Sequence, residues 1–151
     1  MNIAISLNDI NINNIFFQDP IKNTIMNNSN FIRIIYSDEL CSFNGICLAF
    51  NLPITHVDKC FTKYKCVFDI QENNMIIGMI VKMEQDIIAK YNVKNKQPVY
   101  RVCEQLKHGF IKVMNINMNN SSSSNKRFIL KISGLWSNDI EYGLTYKFTQ
   151  C

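Results

Sequence analysis

The spacing of apolar residues along the chain changes from two to three or four after residue 73. Three earlier segments have the alternation or the β-branched and aromatic content of strands: residues 31–36, 45–51 and 60–70. Residues 74–91 instead place Ile76, Ile80, Met83 and Ile87 on one stripe, with Glu84, Gln85 and Asp86 outside it. This stripe predicts a single amphipathic helix that packs against a sheet, with Asn73 or Asn74 at its N-cap.

Strand patterns return after Pro98. Residues 99–103 fit either a short strand or a helical turn, and residues 110–114 predict a strand. The last two predicted strands, residues 127–135 and 141–149, are separated by Ser137-Asn138-Asp139, whose residue types favour a tight turn. The C-terminal part of the chain is therefore predicted to be a β-hairpin.

The order of three strands, one helix and two or three further strands predicts a mainly β (α+β) fold. An OB-like five-stranded barrel, with the helix plugging one end, has this order, and so does a small sandwich. The 151 residues are expected to form a single domain, 1–151. Residues 1–30 are interpreted as a peripheral N-terminal extension, and the Ser- and Asn-rich residues 117–125 as a mobile loop.

Positive charge is concentrated in the second half of the chain. Residues 1–81 carry five basic and seven acidic side chains, whereas residues 82–151 carry eleven basic and five acidic ones, which accounts for the formal net charge of +4. A basic half can form a local patch that attracts an anionic polymer, and it can equally be an ordinary solvated surface.

The first residues lack a basic segment followed by an apolar run, and no stretch approaches the roughly 20 apolar residues that span a bilayer. We therefore expect a soluble protein with no membrane partner, in the cytoplasm or alternatively in the nucleus. Its six cysteines are then expected to be free thiols, because cytosolic proteins are kept reduced.

The predicted C-terminal hairpin carries basic and aromatic side chains together. Alternation places Lys131 and Lys147 on one outer face, near Arg127, while Trp136 at the hairpin end lies either in the core or in a groove. Lysines can follow a phosphate backbone and aromatic rings can stack on bases, so this combination points to single-stranded nucleic acid.

A second basic segment lies outside the hairpin. Lys63 and Lys65 alternate with Tyr64 on the third predicted strand, and Lys112 lies on the strand at residues 110–114. In an OB-type barrel the second and third strands face the ligand, so we assign Lys63, Tyr64 and Lys65 to the same nucleic-acid interface. We add Lys112 from the basic second half of the chain. The alternative is a solvated strand face with no ligand.

Neither catalysis nor metal binding has a recognisable motif. Zinc ribbons and fingers have cysteine pairs with two to four residues between them, and Cys41, Cys47, Cys60 and Cys66, near His56, include no such pair. The phosphate-loop, dinucleotide-binding and nucleophile-elbow patterns are also missing from the sequence. We expect a non-enzymatic protein with no cofactor and no small-molecule substrate, although a Cys–His pair assembled only by the fold stays open.

The string LKISGLW at residues 130–136, followed by EYGLTYKF at 141–148, resembles a C-terminal signature of small proteins of nucleocytoplasmic large DNA viruses. Some of those proteins are regarded as OB-fold single-stranded-DNA-binding proteins. The resemblance covers residues 128–148 and implies DNA rather than RNA, a role in viral replication or genome handling, and a place in the host cytoplasm or viral factory. The alternative is a non-enzymatic viral structural or protein-interaction module that self-assembles, and the oligomeric state stays open.

Overall fold

The computed structural model describes residues 4–25, 28–114, 116 and 125–150. Twelve strands are found in this part of the chain: β1 (Ala4–Ser6), β2 (Ile15–Phe17), β3 (Ile21–Lys22), β4 (Asn30–Ser37), β5 (Ser42–Asn44), β6 (Ile46–Pro53), β7 (His56–Cys60), β8 (Lys63–Val67), β9 (Gln97–Val99), β10 (Phe110–Val113), β11 (Asn125–Ser137) and β12 (Glu141–Gln150). The same described residues form two α-helices, α1 (Asn74–Tyr91) and α2 (Arg101–Lys107). Two short 3-10 turns, Leu7–Asp9 and Ile12–Asn14, precede β2.

The predicted C-terminal hairpin is confirmed, and it is the centre of the sheet. β11 and β12 pair antiparallel from Phe128 opposite Gln150 to Ser137 opposite Tyr142. The Asn138 side chain closes the turn, because its Oδ1 accepts hydrogen bonds from the backbone N–H groups of Ile140 (2.9 Å) and Glu141 (2.7 Å).

Each long strand of this hairpin has two different neighbours along its outer side. β11 pairs with β6 up to Ile132 and with β4 from Gly134 onward. β12 pairs in parallel with β9 at Glu141–Gly143 and with β10 at Phe148. The main strand order is β1-β6-β11-β12-β10-β8-β7, and the sheet of the described residues is mixed and open. The fold is therefore mainly β as predicted, while this open order does not confirm the OB-like barrel or the sandwich.

The core lies on one side of the central strands and is closed by α1, whose predicted range of 74–91 is confirmed. Phe128, Leu130 and Ile132 are fully buried, as are Ile80 and Ile87 on the helix. Ile76 is only partly buried, and Asn73 occupies the N-cap position while its side chain donates to the carbonyl of Asp69 instead of capping.

The prediction of one strand over residues 60–70 is wrong. Residues 56–67 form a hairpin, β7 and β8, in which Cys60 is opposite Lys63. Phe61 makes the turn in a left-handed conformation with φ of 55° and is 94% exposed. The turn is not visible in the sequence, because phenylalanine is not a typical residue for a left-handed conformation. The alternation of residue types therefore suggests one continuous strand.

The interpretation of residues 1–30 as a peripheral extension also needs correction for its described part. β1 pairs in parallel with β6, β2 pairs with β4, and the Ile15 side chain is fully buried in the core. These strands are only two or three residues long, so their local pattern is weak and their place in the sheet depends on pairing. Of the predicted mobile loop, residues 117–124 lie outside the described part, and Asn125 begins β11.

The described residues also bear on the expectations about a membrane and about the cysteines. No helix among them combines the length and apolar character needed to cross a membrane. Cys41, Cys47, Cys60, Cys66 and Cys103 are free cysteines.

Candidate nucleic-acid interface

Five lysines lie on the side of the sheet opposite the core, on four adjacent strands. We call this surface the basic face; it comprises Lys131 on β11, Lys147 on β12, Lys112 on β10, and Lys65 and Lys63 on β8. The pairing of the strands shows that these lysines share one side of the sheet. Lys131 is directly opposite Lys147, and Lys112 is directly opposite Lys65.

The two halves of the basic face are joined through β10 and β12. Val113 pairs with Phe148, and both side chains are buried in the core. Since alternate residues of a strand point to opposite sides, the neighbouring Lys112 and Lys147 both leave the sheet on the solvent side, and both are exposed. The lysines thus form a stripe across the strands, with neighbouring strands about 4.8 Å apart.

The electrostatics of the basic face are unfavourable in the isolated protein. Like charges directly opposite each other on a sheet are destabilising, and here two such pairs lie on neighbouring strands. None of the five lysines forms an ion pair with a described residue; Asp58, opposite Lys65, is held by His56 at 2.6 Å. Lys65 instead lies over the Phe110 ring, with Nζ 4.5 Å from the ring centroid.

A groove of about 350 Å³ opens beside the basic face, where β12 lacks a neighbouring strand. β9 pairs with β12 up to Gly143 and β10 pairs with it at Phe148, which leaves residues 144–147 between the two pairings. The groove is lined by Lys63, Arg101, Gln105, Lys112, Met114, Trp136, Leu144, Thr145, Tyr146, Lys147 and Phe148. These lining residues include four cations and no carboxylate.

A β-bulge determines where Trp136 lies. The register of β11 and β12 shifts between Ile132 and Gly134, so that Ser133 is an extra residue. The extra residue moves Trp136 to the same side as Lys131 and Lys147, whereas strict alternation would place it with Ile132 in the core. Trp136 is nonetheless only 4% exposed. Trp136 forms the floor of the groove. Of the two places that the sequence allowed for it, the core or a groove, the structure shows the groove.

The indole of Trp136 is enclosed by two neighbours. A Cβ added to Gly143, directly opposite on β12, would lie 3.2 Å from Nε1, so glycine is what lets the ring lie close to that strand. The Arg101 guanidinium lies over the ring at 4.5 Å from its centroid. The indole Nε1 is buried and has no hydrogen-bond acceptor among the described residues.

The helix that presents Arg101 is held by a buried carboxylate. Glu84 on α1 accepts hydrogen bonds from the backbone N–H groups of Val102 (3.0 Å) and Cys103 (2.8 Å), in the first turn of α2. These groups would otherwise be unpaired at a helix N-terminus. The prediction that Glu84 lies outside the helix stripe is therefore wrong: its side chain is fully buried, because it caps a helix that the local sequence did not reveal.

Tyr146 on β12 also lines the groove and connects this strand to α2. Its hydroxyl donates a hydrogen bond to Gln105 Oε1 at 2.9 Å, which connects β12 to α2. Burial raises the pKa of Tyr146 to about 12, and the nearby Glu84 and Glu104 carboxyls act in the same direction while Arg101 opposes them. The phenol therefore stays protonated and keeps this contact at neutral pH.

The predicted site residues other than Tyr64 separate into three groups. The groove brings together Lys63, Lys112, Trp136 and Lys147, and the basic face adds Lys65 and Lys131. Arg127 is exposed on the same side of β11, four residues from Lys131, and does not line the groove.

Tyr64 was assigned to the interface, and this assignment is corrected, because its ring packs against the core on the other side of β8. Arg101, Gln105 and Tyr146 were not predicted as site residues. The ambiguous pattern at residues 99–103 was the only sequence signal for the helix that carries the first two.

Protonation of Glu84 should couple pH to stability. Burial raises the pKa of Glu84 above the ordinary 4.5; the two backbone hydrogen bonds oppose this shift and Glu104 adds to it. The folded protein therefore binds this proton more tightly than the unfolded chain does. The stabilisation is complete below pH 4.5 and is lost as the pH rises through the elevated pKa.

We expect wild-type protein to lose stability relative to Glu84→Gln over this pH window, as measured by urea denaturation at a series of pH values. Glu72→Gln, at an exposed position before α1, is the matched control for the loss of one carboxyl group. A difference between wild type and Glu84→Gln that grows in the opposite direction would contradict the assignment.

Metal-binding groups are not clustered in the described residues, where no three or more His, Cys, Asp or Glu side chains could hold an ion together. Cys66 is buried, and burial raises the pKa of its thiol to about 11, with Lys126 opposing the shift. A thiol with a raised pKa stays protonated, whereas a metal ligand is a thiolate.

Comparison with known proteins gave no match: no family model, no curated protein and no solved structure is significantly similar to this chain.

Proposed function

We propose that this protein binds single-stranded nucleic acid, and DNA in particular, along the basic face and the adjoining groove. The observation that carries the proposal is that two pairs of lysines lie directly opposite each other across strands, on one side of four adjacent strands. These pairs are Lys131 with Lys147 and Lys65 with Lys112. This arrangement costs stability unless an anion neutralises it. A phosphate backbone laid across the strands would do so.

Aromatic rings near the lysines favour a single strand over a duplex. Phe31 is opposite Trp136 where β4 joins β11, and its ring is only partly buried. Phe110 lies on the same side of β10 as Lys112 and is also partly buried, with Lys65 over one face of its ring. Bases of a single strand can stack on such rings, whereas the bases of a duplex are already stacked on each other. The proposal needs only an open, basic sheet face, so it does not depend on an OB-like barrel.

The choice of DNA, and a role in viral replication or genome handling in the cytoplasm, rest on the resemblance of residues 128–148 to the viral signature. A catalytic activity and a cofactor form no part of the proposal.

Fluorescence anisotropy with a labelled oligo-dT at several salt concentrations tests the proposal. If all five lysines contact phosphates, log K should fall with log salt with a slope of about −3.5, so that binding weakens about 100-fold between about 50 and 200 mM salt. Duplex DNA of equal length should bind more weakly. No binding of oligo-dT at low salt would overturn the proposal and leave the self-assembling module as the remaining interpretation.

Single substitutions should separate the basic face from other lysines. Lys131→Ala and Lys147→Ala should each reduce the magnitude of the salt slope by about 0.7, the value for one phosphate contact on a single strand. Lys82→Ala is the matched control, because Lys82 is exposed on α1, which packs against the core side of the sheet, and it pairs with Asp86. Equal slopes for all three variants would show that these two lysines make no specific contact.

A further inference from the structure

We infer that the groove is an anchoring subsite for one phosphate group of the bound strand, in which Trp136 acts by donating a hydrogen bond from Nε1 rather than by stacking on a base. This inference rests on the proposed function and specifies what the groove recognises. The sequence offered Trp136 as a stacking residue, but its ring is covered by Arg101 and is almost completely buried.

The unpaired indole N–H is the first argument. A buried donor without an acceptor is costly, and buried polar groups in folded proteins are nearly always paired. Among the described residues, the Trp136 Nε1 is the buried side-chain polar atom that lacks a partner. Because Trp136 lines the groove, the acceptor that completes it can come from a ligand bound there.

The chemistry of the groove identifies that acceptor as an anion. Lys63, Arg101, Lys112 and Lys147 all line it, and none of its lining side chains is a carboxylate. The one neutral acceptor of the α2 wall, Gln105 Oε1, already receives the Tyr146 hydroxyl. A ligand here meets cations and N–H donors, which suits a phosphate with several acceptor oxygens.

Arg101 places a cation directly beside the indole of Trp136. Its guanidinium lies on the indole ring, but the residue is exposed and forms no ion pair with a described residue. An arriving phosphate gives the guanidinium an anionic partner, and Arg–phosphate pairs are stronger and more directional than a contact with a ring. The guanidinium can then bind the same phosphate as the indole N–H, which lies in the ring plane and not on the face that Arg101 covers.

The chain contains one tryptophan, so a ¹⁵N-labelled sample has a single indole N–H resonance that reports on the groove. Titration with oligo-dT should move this resonance downfield, because the proton enters a hydrogen bond to an anion. Inorganic phosphate should move it in the same direction at higher concentration, and thymidine without phosphate should leave it in place.

Replacement of Trp136 by benzothienylalanine, which keeps the shape of the ring but lacks the N–H, provides the second measurement. Loss of a hydrogen bond to a charged group should weaken oligo-dT binding about 10-fold or more, with the salt slope unchanged. Lys82→Ala should retain the wild-type resonance shift. If the replaced protein does not fold, the indole resonance of the wild-type protein still decides.

The outcomes distinguish this inference from the proposed function. Oligo-dT that binds by anisotropy without moving the indole resonance, or that binds equally well to the benzothienylalanine protein, overturns the phosphate subsite and leaves the basic face intact. A shift with inorganic phosphate but no binding of oligo-dT supports a phosphate site and overturns the single-strand proposal.

Discussion

Gly134→Ala should destabilise the protein by more than about 3 kcal/mol, at the upper end of what overpacking a core position costs. A Cβ at this position would lie 2.1 Å from the carbonyl oxygen of Ile32 and 2.9 Å from the Phe31 ring. The obstacle includes backbone of the adjacent β4 and not only a flexible side chain, so β4 and β11 would have to separate. Urea denaturation of wild type and variant measures the loss.

Gly78→Ala is the matched control for this substitution. Gly78 is exposed in the interior of α1, and an added Cβ would have no heavy atom within 4 Å. Because glycine is a poor helix former, this variant should gain about 0.5–1 kcal/mol relative to wild type. If Gly134→Ala were as stable as wild type, the close approach of β4 to the β-bulge, and the position of Trp136 that follows from it, would be in error.

The double charge reversal Lys112→Glu with Lys147→Glu should reduce binding of oligo-dT by more than about 100-fold at low salt. Each phosphate contact on a single strand contributes a slope of about 0.7, so losing two contacts near 50 mM salt costs about 60-fold, and the repulsion of two carboxylates adds to that loss. The two side chains flank the groove on neighbouring strands, so both should face the same stretch of backbone. Anisotropy titration measures the effect.

Lys82→Glu with Lys94→Glu is the control, because both lysines are exposed and lie on or directly after α1. Each double variant lowers the formal net charge from +4 to 0. A loss confined to the first variant would locate the interface on the basic face. Equal losses in both variants would mean that binding responds only to overall charge, and the melting temperature of each variant shows whether it is folded.

Local pattern predicted the elements whose signal is long and regular. The range of α1 and the C-terminal hairpin are confirmed, and so is the placement of Lys131 and Lys147 on one side, since Lys131 is directly opposite Lys147. A period of two or 3.6 sustained over eight or more residues needs no tertiary context to be recognised.

Local pattern failed where a residue's role is set by a distant partner. Glu84 was placed outside because acidic side chains on a helix usually face solvent, but it caps α2, whose first turn is 18 residues farther along the chain. Residues 60–70 were read through the turn at Phe61 because no turn residue interrupts them. Tyr64 was grouped with its lysine neighbours although alternation already placed it on the core side of β8.

Alternation alone predicts which side chains share a face within a regular stretch of strand, because successive residues point to opposite sides of it. How the strands pair, and where a bulge interrupts them, establishes which faces become neighbours. The parallel pairing of β10 with β12 brings Lys112 beside Lys147, the bulge at Ser133 turns Trp136 toward the lysines, and Glu84 holds Arg101 above it. Strand pairing and bulges are settled by contacts between residues far apart in the chain, and these leave no period in the sequence.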